Sequence, residues 1–137
     1  MKKIVIIGAN DFQNQLILKA KEMGFETHVF AWQDGSIGER TADHFYPVSI
    51  VEIDEILEKC REIKPDAVAT IASDLANITV SKVAAGLGLP GNTPECIELS
   101  TNKYAMRSAF LKAGLPTPKF YKVDRVIPEL MEMELPV

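Results

Sequence analysis

A chain of 137 residues has the length of about one ordinary domain. Its 47% hydrophobic and 25% charged residues are typical of a soluble globular protein and exclude an intrinsically disordered one. The formal net charge of −4 argues against nucleic acid or an anionic membrane as the main partner. The sequence contains neither a signal-peptide core nor an apolar run near the ~20 residues of a membrane span, so we expect a cytoplasmic protein.

The first predicted elements are a strand and a helix. Residues 3–8, KIVIIG, form a β-branched run that ends at a glycine, which predicts a strand buried on both faces. Asn10 or Asp11 can cap the helix that follows, and Gly24 ends it. The predicted core residues of this helix are Leu16, Ile17, Ala20 and Met23.

Three more strands and two more helices follow in alternation. Strands are predicted at about 26–32, 44–48 and 66–72, and a polar loop joins the first two of them. Helices are predicted at 52–64 and at about 75–88. This alternation indicates a Rossmann-like α/β fold, an open parallel sheet with helices on both faces. Right-handed crossovers then predict the strand order 3-2-1-4.

The character of the chain changes near residue 93. TPECIELS predicts a short helical turn, and Ser100 or Thr101 can cap a helix over 101–114. The apolar residues of that helix repeat at core spacing and are Met106, Ala109, Phe110 and Ala113. The final MEMELPV reads as the start of an apolar strand, which favours a piece of a longer protein. We therefore predict an α/β domain over 1–98, then a linker helix and the truncated start of a second domain over 99–137.

The cysteines and histidines are predicted to be structural. Cys60 falls on the apolar face of the helix at 52–64, which favours a small buried hydrophobe. His28 and His44 lie in predicted strands, and no partners at metal-ligand spacing accompany them in the sequence. We therefore expect no metal site.

The loops after strands 1 and 4 are the candidate substrate site. In an open α/β sheet, ligands bind outside the carboxyl ends of the strands at the switch point, which lies between these two loops. The candidate residues there are Gly8, Ala9, Asn10, Ser73 and Asp74. Ser73 and Asp74 are also good helix-capping residues, so capping alone is the plainer explanation, although capping and substrate contact can coexist.

The first of these loops does not fit a dinucleotide-binding fold. The three glycine positions of G-x-G-x-x-G are occupied by Gly8, Asn10 and Gln13. The end of strand 2, where an acidic residue would hold a ribose, carries Ala31 and Trp32 instead. The dinucleotide interpretation thus fails on two independent features.

Lys103 stands near the start of the helix predicted at 101–114, where the helix dipole disfavours a cation. It lies nearly in line with Phe110, two turns further on, which predicts a position on the inner side of the helix. Beside the unpaired backbone N–H groups of a helix N-terminus, such a lysine favours an anion such as phosphate. A solvated surface lysine is the plainer alternative.

NKYAMRSAFLKAGLPTPKF resembles the segment of ATP-grasp enzymes that joins their N-terminal α/β domain to the ATP-binding module. GANDFQNQLILKAKEMGFETHVF and TADHFYPVS resemble the N-terminal domain of the carbamoyl phosphate synthetase-like branch. The resemblance implies a ligase that uses ATP and Mg²⁺ to activate a carboxylate as an acyl phosphate and joins it to an amine or a thiol. It also implies that Lys103 contacts an ATP phosphate.

The same resemblance places the magnesium ligands and the rest of the nucleotide site downstream of Val137. The chain alone is then expected to be inactive, with no catalytic residue of its own. Its implied partners are small-molecule carboxylates and amines, and a second copy of the chain, because N-terminal domains of this family often self-associate.

Two other function classes stay open. One is an oxidoreductase or epimerase domain with a nucleotide cofactor, and the other is a non-catalytic α/β binding module. The sequence beyond Val137 discriminates them, because a lysine followed by paired acids and an asparagine at magnesium-ligand spacing favours the ligase. An early stop codon favours the binding module.

Overall fold

The computed structural model describes residues 1–125, where four strands form one parallel sheet. The strands are β1 (Lys3–Ile7), β2 (Glu26–Phe30), β3 (His44–Tyr46) and β4 (Ala67–Ala69). The helices are α1 (Asp11–Glu22), α2 (Ile37–Thr41), α3 (Ile53–Ile63), α4 (Asp74–Leu87), α5 (Pro94–Thr101) and α6 (Lys103–Lys112). The strand order is β3-β2-β1-β4, which confirms the predicted fold.

Successive side chains of β1 and β2 point to opposite faces of the sheet. Each face is covered by its own apolar cluster, so the sheet is buried on both faces. On one face, the strand residues pack against α3 and α4, and the buried members of this cluster include Val5, Ile7, Phe30, Ile56, Cys60 and Val83. On the other face, the strands meet α1, and the buried members include Ile6, Val29, Ile17 and Ala20. The β-branched strands predicted from the sequence thus form the centre of the core.

The buried face of α1 differs from the prediction at its ends. Met23 is 64% exposed, whereas the polar Gln13 and Asn14 are buried. Both polar side chains have partners, because the Gln13 amide donates to the Ile71 carbonyl and the Asn14 amide oxygen accepts from the Thr41 hydroxyl. A hydrogen-bonded polar group can be buried at little cost, so apolar periodicity alone misplaces this face.

The sequence predicts only a loop between β2 and β3, but the structure has α2 there. This five-residue helix carries glycine and charged residues, and it has no apolar repeat from which a helix could be predicted. The backbone N–H of Gly38 donates to the carbonyl of Ala9 at 2.9 Å. A Cβ atom at residue 38 would lie 2.6 Å from that same oxygen. Only glycine therefore lets α2 approach the loop after β1 this closely.

α6 starts later than predicted, and its predicted cap is wrong. α5 extends through Ser100 and Thr101, so the N-cap of α6 is Asn102. The Asn102 side-chain oxygen accepts from the backbone N–H groups of Tyr104 at 3.1 Å and Ala105 at 3.2 Å. The predicted core face of α6 is also wrong, because none of its residues is buried and Phe110 is 40% exposed.

The chain divides into two compact units, Met1–Ile97 and a second unit that begins at Glu98. In the second unit, the ring of Tyr104 meets that of Phe120 edge to face at 5.6 Å, and Lys122 Nζ lies 5.5 Å from the Tyr104 centroid. The strand predicted within MEMELPV lies outside the described residues. Among residues 1–125, no helix combines the length and apolarity that a membrane crossing requires.

Candidate functional site

The carboxyl ends of β1 and β4 lie side by side, because these two strands are parallel neighbours in the sheet. The loops that follow them border two pockets, of about 150 and 560 Å³, which share Ser73. The smaller pocket is lined in part by Gly8, Ala9 and Asn10, and the larger in part by Asp74. The structure therefore brings all five predicted loop residues to one crevice.

Gly8 and Gln13 explain the shape of the smaller pocket. Gly8 has φ +103°, a conformation that favours glycine, and its N–H donates to the Phe30 carbonyl at 2.9 Å. A Cβ at residue 8 would meet the Gln13 side chain at 3.0 Å. Gln13 is only 2% exposed and spans the crevice to the Ile71 carbonyl. A side chain thus fills the space beside the first turn that glycines leave open in a dinucleotide-binding fold.

Two helix N-termini begin at this crevice, those of α1 and α4. Asn10 caps α1 by accepting from the N–H groups of Phe12 at 2.9 Å and Gln13 at 3.3 Å. Ser73 caps α4 by accepting from the N–H of Ala76 at 3.2 Å. The predicted capping roles are therefore present, and both capping residues also line the smaller pocket. Helix N-termini favour anionic groups, so the crevice suits a negatively charged or strongly polar ligand.

The backbone immediately before Ser73 is strained. Ala72 has φ +57°, in the left-handed region that costs a residue with a Cβ about 1–2 kcal/mol. Ala72 lines the larger pocket. Strained conformations of this kind are often found at binding sites, where the surrounding structure maintains them.

The far rim of the smaller pocket comes from the loop after β2. Trp32, which is 72% exposed, Asp34 and Ser36 line this rim. The hydroxyl of Ser36 donates to Asp34 at 2.5 Å and its backbone N–H at 2.9 Å, and these bonds lower the pKa of that carboxyl. The buried Ala31 directly follows β2, and the carboxylate of this rim belongs to Asp34, three residues further on.

The chemistry of the crevice is that of a binding site. The described residues that line its two pockets include no histidine, cysteine or lysine, so they offer no general base of the usual kinds beyond Asp34 and Asp74. The smaller pocket, of about 150 Å³, is well below the ~300–1,000 Å³ of sites for drug-sized ligands, whereas the larger, of about 560 Å³, lies within that range. The crevice therefore has room for a small molecule, with the smaller pocket suited to its polar end.

Lys103 is the first residue of α6 and is exposed. Its predicted place at a helix N-terminus is confirmed. The inner position inferred from its alignment with Phe110 is wrong, because α6 has no buried face among the described residues. Its contact with a nucleotide phosphate stays a prediction.

The remaining sequence-selected side chains lie in the interior and at the sheet edge. Cys60 is fully buried, as predicted, and burial raises the pKa of its thiol to about 12. His28 and His44 both contact Glu26, a convergence that the sequence interpretation missed. A detectable signal was present, because Glu26 and His28 are two residues apart in a strand and so share a face.

No protein-family model matches the chain, and no curated protein sequence matches it. Solved structures do match it over almost its whole length. Phosphoribosylglycinamide synthetase from Anaerococcus prevotii has 27% identity and a TM-score of 0.75, with 98% of this chain and 35% of that chain covered. N5-carboxyaminoimidazole ribonucleotide synthetase from Thermotoga maritima has 23% identity and a TM-score of 0.77, with 99% and 37% covered.

L-amino acid ligase from Bacillus licheniformis has 23% identity and a TM-score of 0.79, with 100% of this chain and 35% of that chain covered. The chain thus spans about a third of the length of the solved structures it matches.

Proposed function

We propose that this chain, which has the fold of the N-terminal region of ATP-grasp ligases, is the N-terminal part of such a ligase. One observation carries the proposal: almost the whole chain matches about a third of each of these enzymes, at 27% identity to one of them. The resemblance of the segment from Asn102 to Phe120 to the ATP-grasp linker agrees with it.

The proposed reaction of the complete enzyme joins a carboxylate to an amine or thiol. ATP with Mg²⁺ supplies the phosphoryl group that converts the carboxylate into an acyl phosphate, and the nucleophile then displaces phosphate. Within this chain, the crevice at the carboxyl ends of β1 and β4 has the substrate-binding role. Gly8, Ala9, Asn10 and Ser73 would hold a polar group of the substrate at the N-termini of α1 and α4.

Lys103 has the nucleotide-binding role in this proposal. One charge-assisted hydrogen bond contributes about 1.5–3 kcal/mol, far less than the ~8 kcal/mol that micromolar binding requires. The 137-residue chain alone should therefore neither bind ATP measurably nor hydrolyse it. In the complete enzyme, the same lysine would contact a phosphate of the nucleotide.

The test measures ATP binding to the complete enzyme by calorimetry. Lys103→Met should weaken binding about 10- to 100-fold, which corresponds to the loss of one such bond. Lys112→Met is the matched control, since Lys112 is an exposed lysine at the opposite end of the same helix. Equal ATP affinities of the two variants would show that Lys103 does not contact a phosphate of the nucleotide.

The ligase activity has a separate readout. The complete protein should release ADP and phosphate only when both a carboxylate and a nucleophile are supplied. Turnover of a nicotinamide cofactor, or the lack of any ATP-dependent product across a panel of carboxylates and amines, would contradict the proposed function.

A further inference from the structure

A carboxylate and two imidazoles converge at the β3 edge of the sheet. Glu26 and His28 lie two residues apart on β2 and share a face, and His28 is in register with His44 of β3. His28 lies two residues before the carboxyl end of β2, and Glu26 is the first residue of that strand. The cluster therefore lies toward the amino ends of the strands, separate from the crevice described above.

The separations within this cluster are those of metal ligands. Glu26 Oε1 lies 3.0 Å from His28 Nε2 and 3.2 Å from His44 Nε2, and all three ligand atoms lie within 4.8 Å of one another. A tetrahedral ion with bonds of about 2.0–2.1 Å keeps its ligand atoms roughly 3.3–3.4 Å apart. Two of the three pairs therefore already have nearly the required spacing.

The distance between the ring nitrogens of the third pair, His28 and His44, can change, because His28 is held in the interior while the side chain of His44 is accessible. The side chain of His28 is 5% exposed, whereas that of His44 is 50% exposed. The two rings are stacked with their centroids 4.5 Å apart. Because the ring planes are only 16° apart, the in-plane lone pairs of the two imidazoles do not point at one ion in this arrangement. The half-exposed His44 ring would have to turn out of the stack to direct its Nε2 at an ion held by the other two side chains, and the same exposure gives an ion a route from solvent.

The buried histidine also has the outer partner that metal-binding histidines usually have. His28 Nδ1 lies 3.0 Å from the Tyr46 hydroxyl, and the Tyr46 ring is itself stacked on Phe30 at 4.6 Å. An oxygen at one ring nitrogen fixes the orientation of the imidazole and leaves the other nitrogen for the metal. Lys3 lies on the same face, but its ammonium group donates to the Ile63 carbonyl at 3.2 Å.

We propose that Glu26, His28 and His44 bind a divalent transition-metal ion of the zinc class, with water in the fourth position. Two imidazoles and one carboxylate suit zinc and its neighbours, whereas calcium and magnesium prefer sites made of oxygen atoms. The ion would join β2 to the three-residue edge strand β3 at a point where the two strands are in register.

The experiment titrates the metal-free 137-residue chain with Zn²⁺ by calorimetry and follows Co²⁺ binding by absorption. We expect one ion per chain, a visible spectrum of tetrahedral Co²⁺ and a rise in Tm on adding Zn²⁺. His44→Gln should weaken Zn²⁺ binding by about 100-fold or more, because loss of an outer partner alone costs about 10–100-fold. Circular dichroism checks that this variant at a half-exposed site is folded.

Two further variants test whether Zn²⁺ binds at these three side chains and not elsewhere on the chain. Cys96→Ser removes the exposed thiol of residues 1–125 and should leave Zn²⁺ affinity unchanged. Tyr46→Phe keeps the stacked ring but removes the hydroxyl, and should weaken Zn²⁺ binding about 10-fold. The proposal is overturned if the wild-type chain shows no saturable binding, or if His44→Gln binds Zn²⁺ as tightly, because the three side chains then form a hydrogen-bonded cluster only.

Discussion

Asp43, just before β3, connects three parts of the chain through one carboxylate. Its Oδ2 accepts from the backbone N–H of Thr27 at 2.9 Å and from the Thr27 hydroxyl at 2.8 Å, while Oδ1 lies 2.8 Å from Lys21 Nζ. The bond to Lys21 contributes most to lowering the pKa of this carboxyl from 3.8 to about 2, and the bond from the Thr27 backbone comes next.

This shift predicts a pH-dependent contribution to stability. Because the folded pKa is the lower one, the contribution is fully present above pH 4 and is lost as the pH falls through about 2. We expect Asp43→Asn to lower the free energy of unfolding by about 1 kcal/mol at pH 7, a value discounted because the side chain is 35% exposed. The difference from wild type should shrink between pH 4 and pH 2 in urea titrations.

Glu22→Gln is the matched control for Asp43→Asn. It removes a carboxylate that pairs with another lysine of α1, Lys19, at the same 2.8 Å distance, but in a more exposed pair. Its effect should stay within about 0.5 kcal/mol. If the cost of Asp43→Asn were the same at pH 2 and pH 7, the proposed ionic contribution would be wrong.

At the scale of elements, the close contact between α2 and the loop after β1 is the feature most sensitive to one added methyl group. The atoms nearest to a Cβ on Gly38 would be backbone atoms of Ala9, at 2.6–3.0 Å, whereas those nearest to a Cβ on Gly86 would be the terminal methyl groups of Leu57, at 2.8 and 2.9 Å. Backbone atoms of a packed loop cannot move aside as a side-chain end can.

Gly38→Ala should therefore destabilise the chain by about 1–3 kcal/mol, the usual cost of overpacking. Gly86→Ala is the comparison, because moving Leu57 is cheaper and alanine gains about 1 kcal/mol over glycine inside a helix. Urea midpoints of the two variants measure the difference directly. A smaller loss for Gly38→Ala than for Gly86→Ala would show that α2 and the loop can separate at little cost.

The sequence predicted the elements better than it predicted their contacts. The β-branched run of β1 and the cap at Asn10 could be recognised from neighbouring residues alone, and the strand order follows because crossovers between parallel strands are right-handed. The loops after β1 and β4 were placed together correctly because parallel strands put their carboxyl ends on one edge. The bond of Gln13 was missed because its partner Ile71 lies far away in the sequence. The Glu26 cluster was missed because its third member, His44, comes from another strand, although Glu26 and His28 are only two residues apart. α2 was missed because five residues are too few to show a helical repeat of apolar residues.

At the scale of the molecule, burial is unevenly distributed between the two units. The strands β1 and β2 carry fully buried residues such as Val5, Ile6 and Val29, whereas α6 has no buried residue. We expect backbone amides of residues 105–112 to exchange with deuterium much faster than those of residues 5–7, because exchange from a helix without buried side chains requires only local opening. Equal protection of the two segments would contradict this.

The hydrogen bond from Gln13 to the Ile71 carbonyl has a kinetic consequence. It joins the loop after β1 to the loop after β4 through a side chain that is itself 2% exposed. A ligand that enters between them has no loops to order, so it avoids part of the entropic cost of association. Its capture should then proceed in one step whose observed rate rises linearly with ligand concentration and shows no plateau from a slow rearrangement.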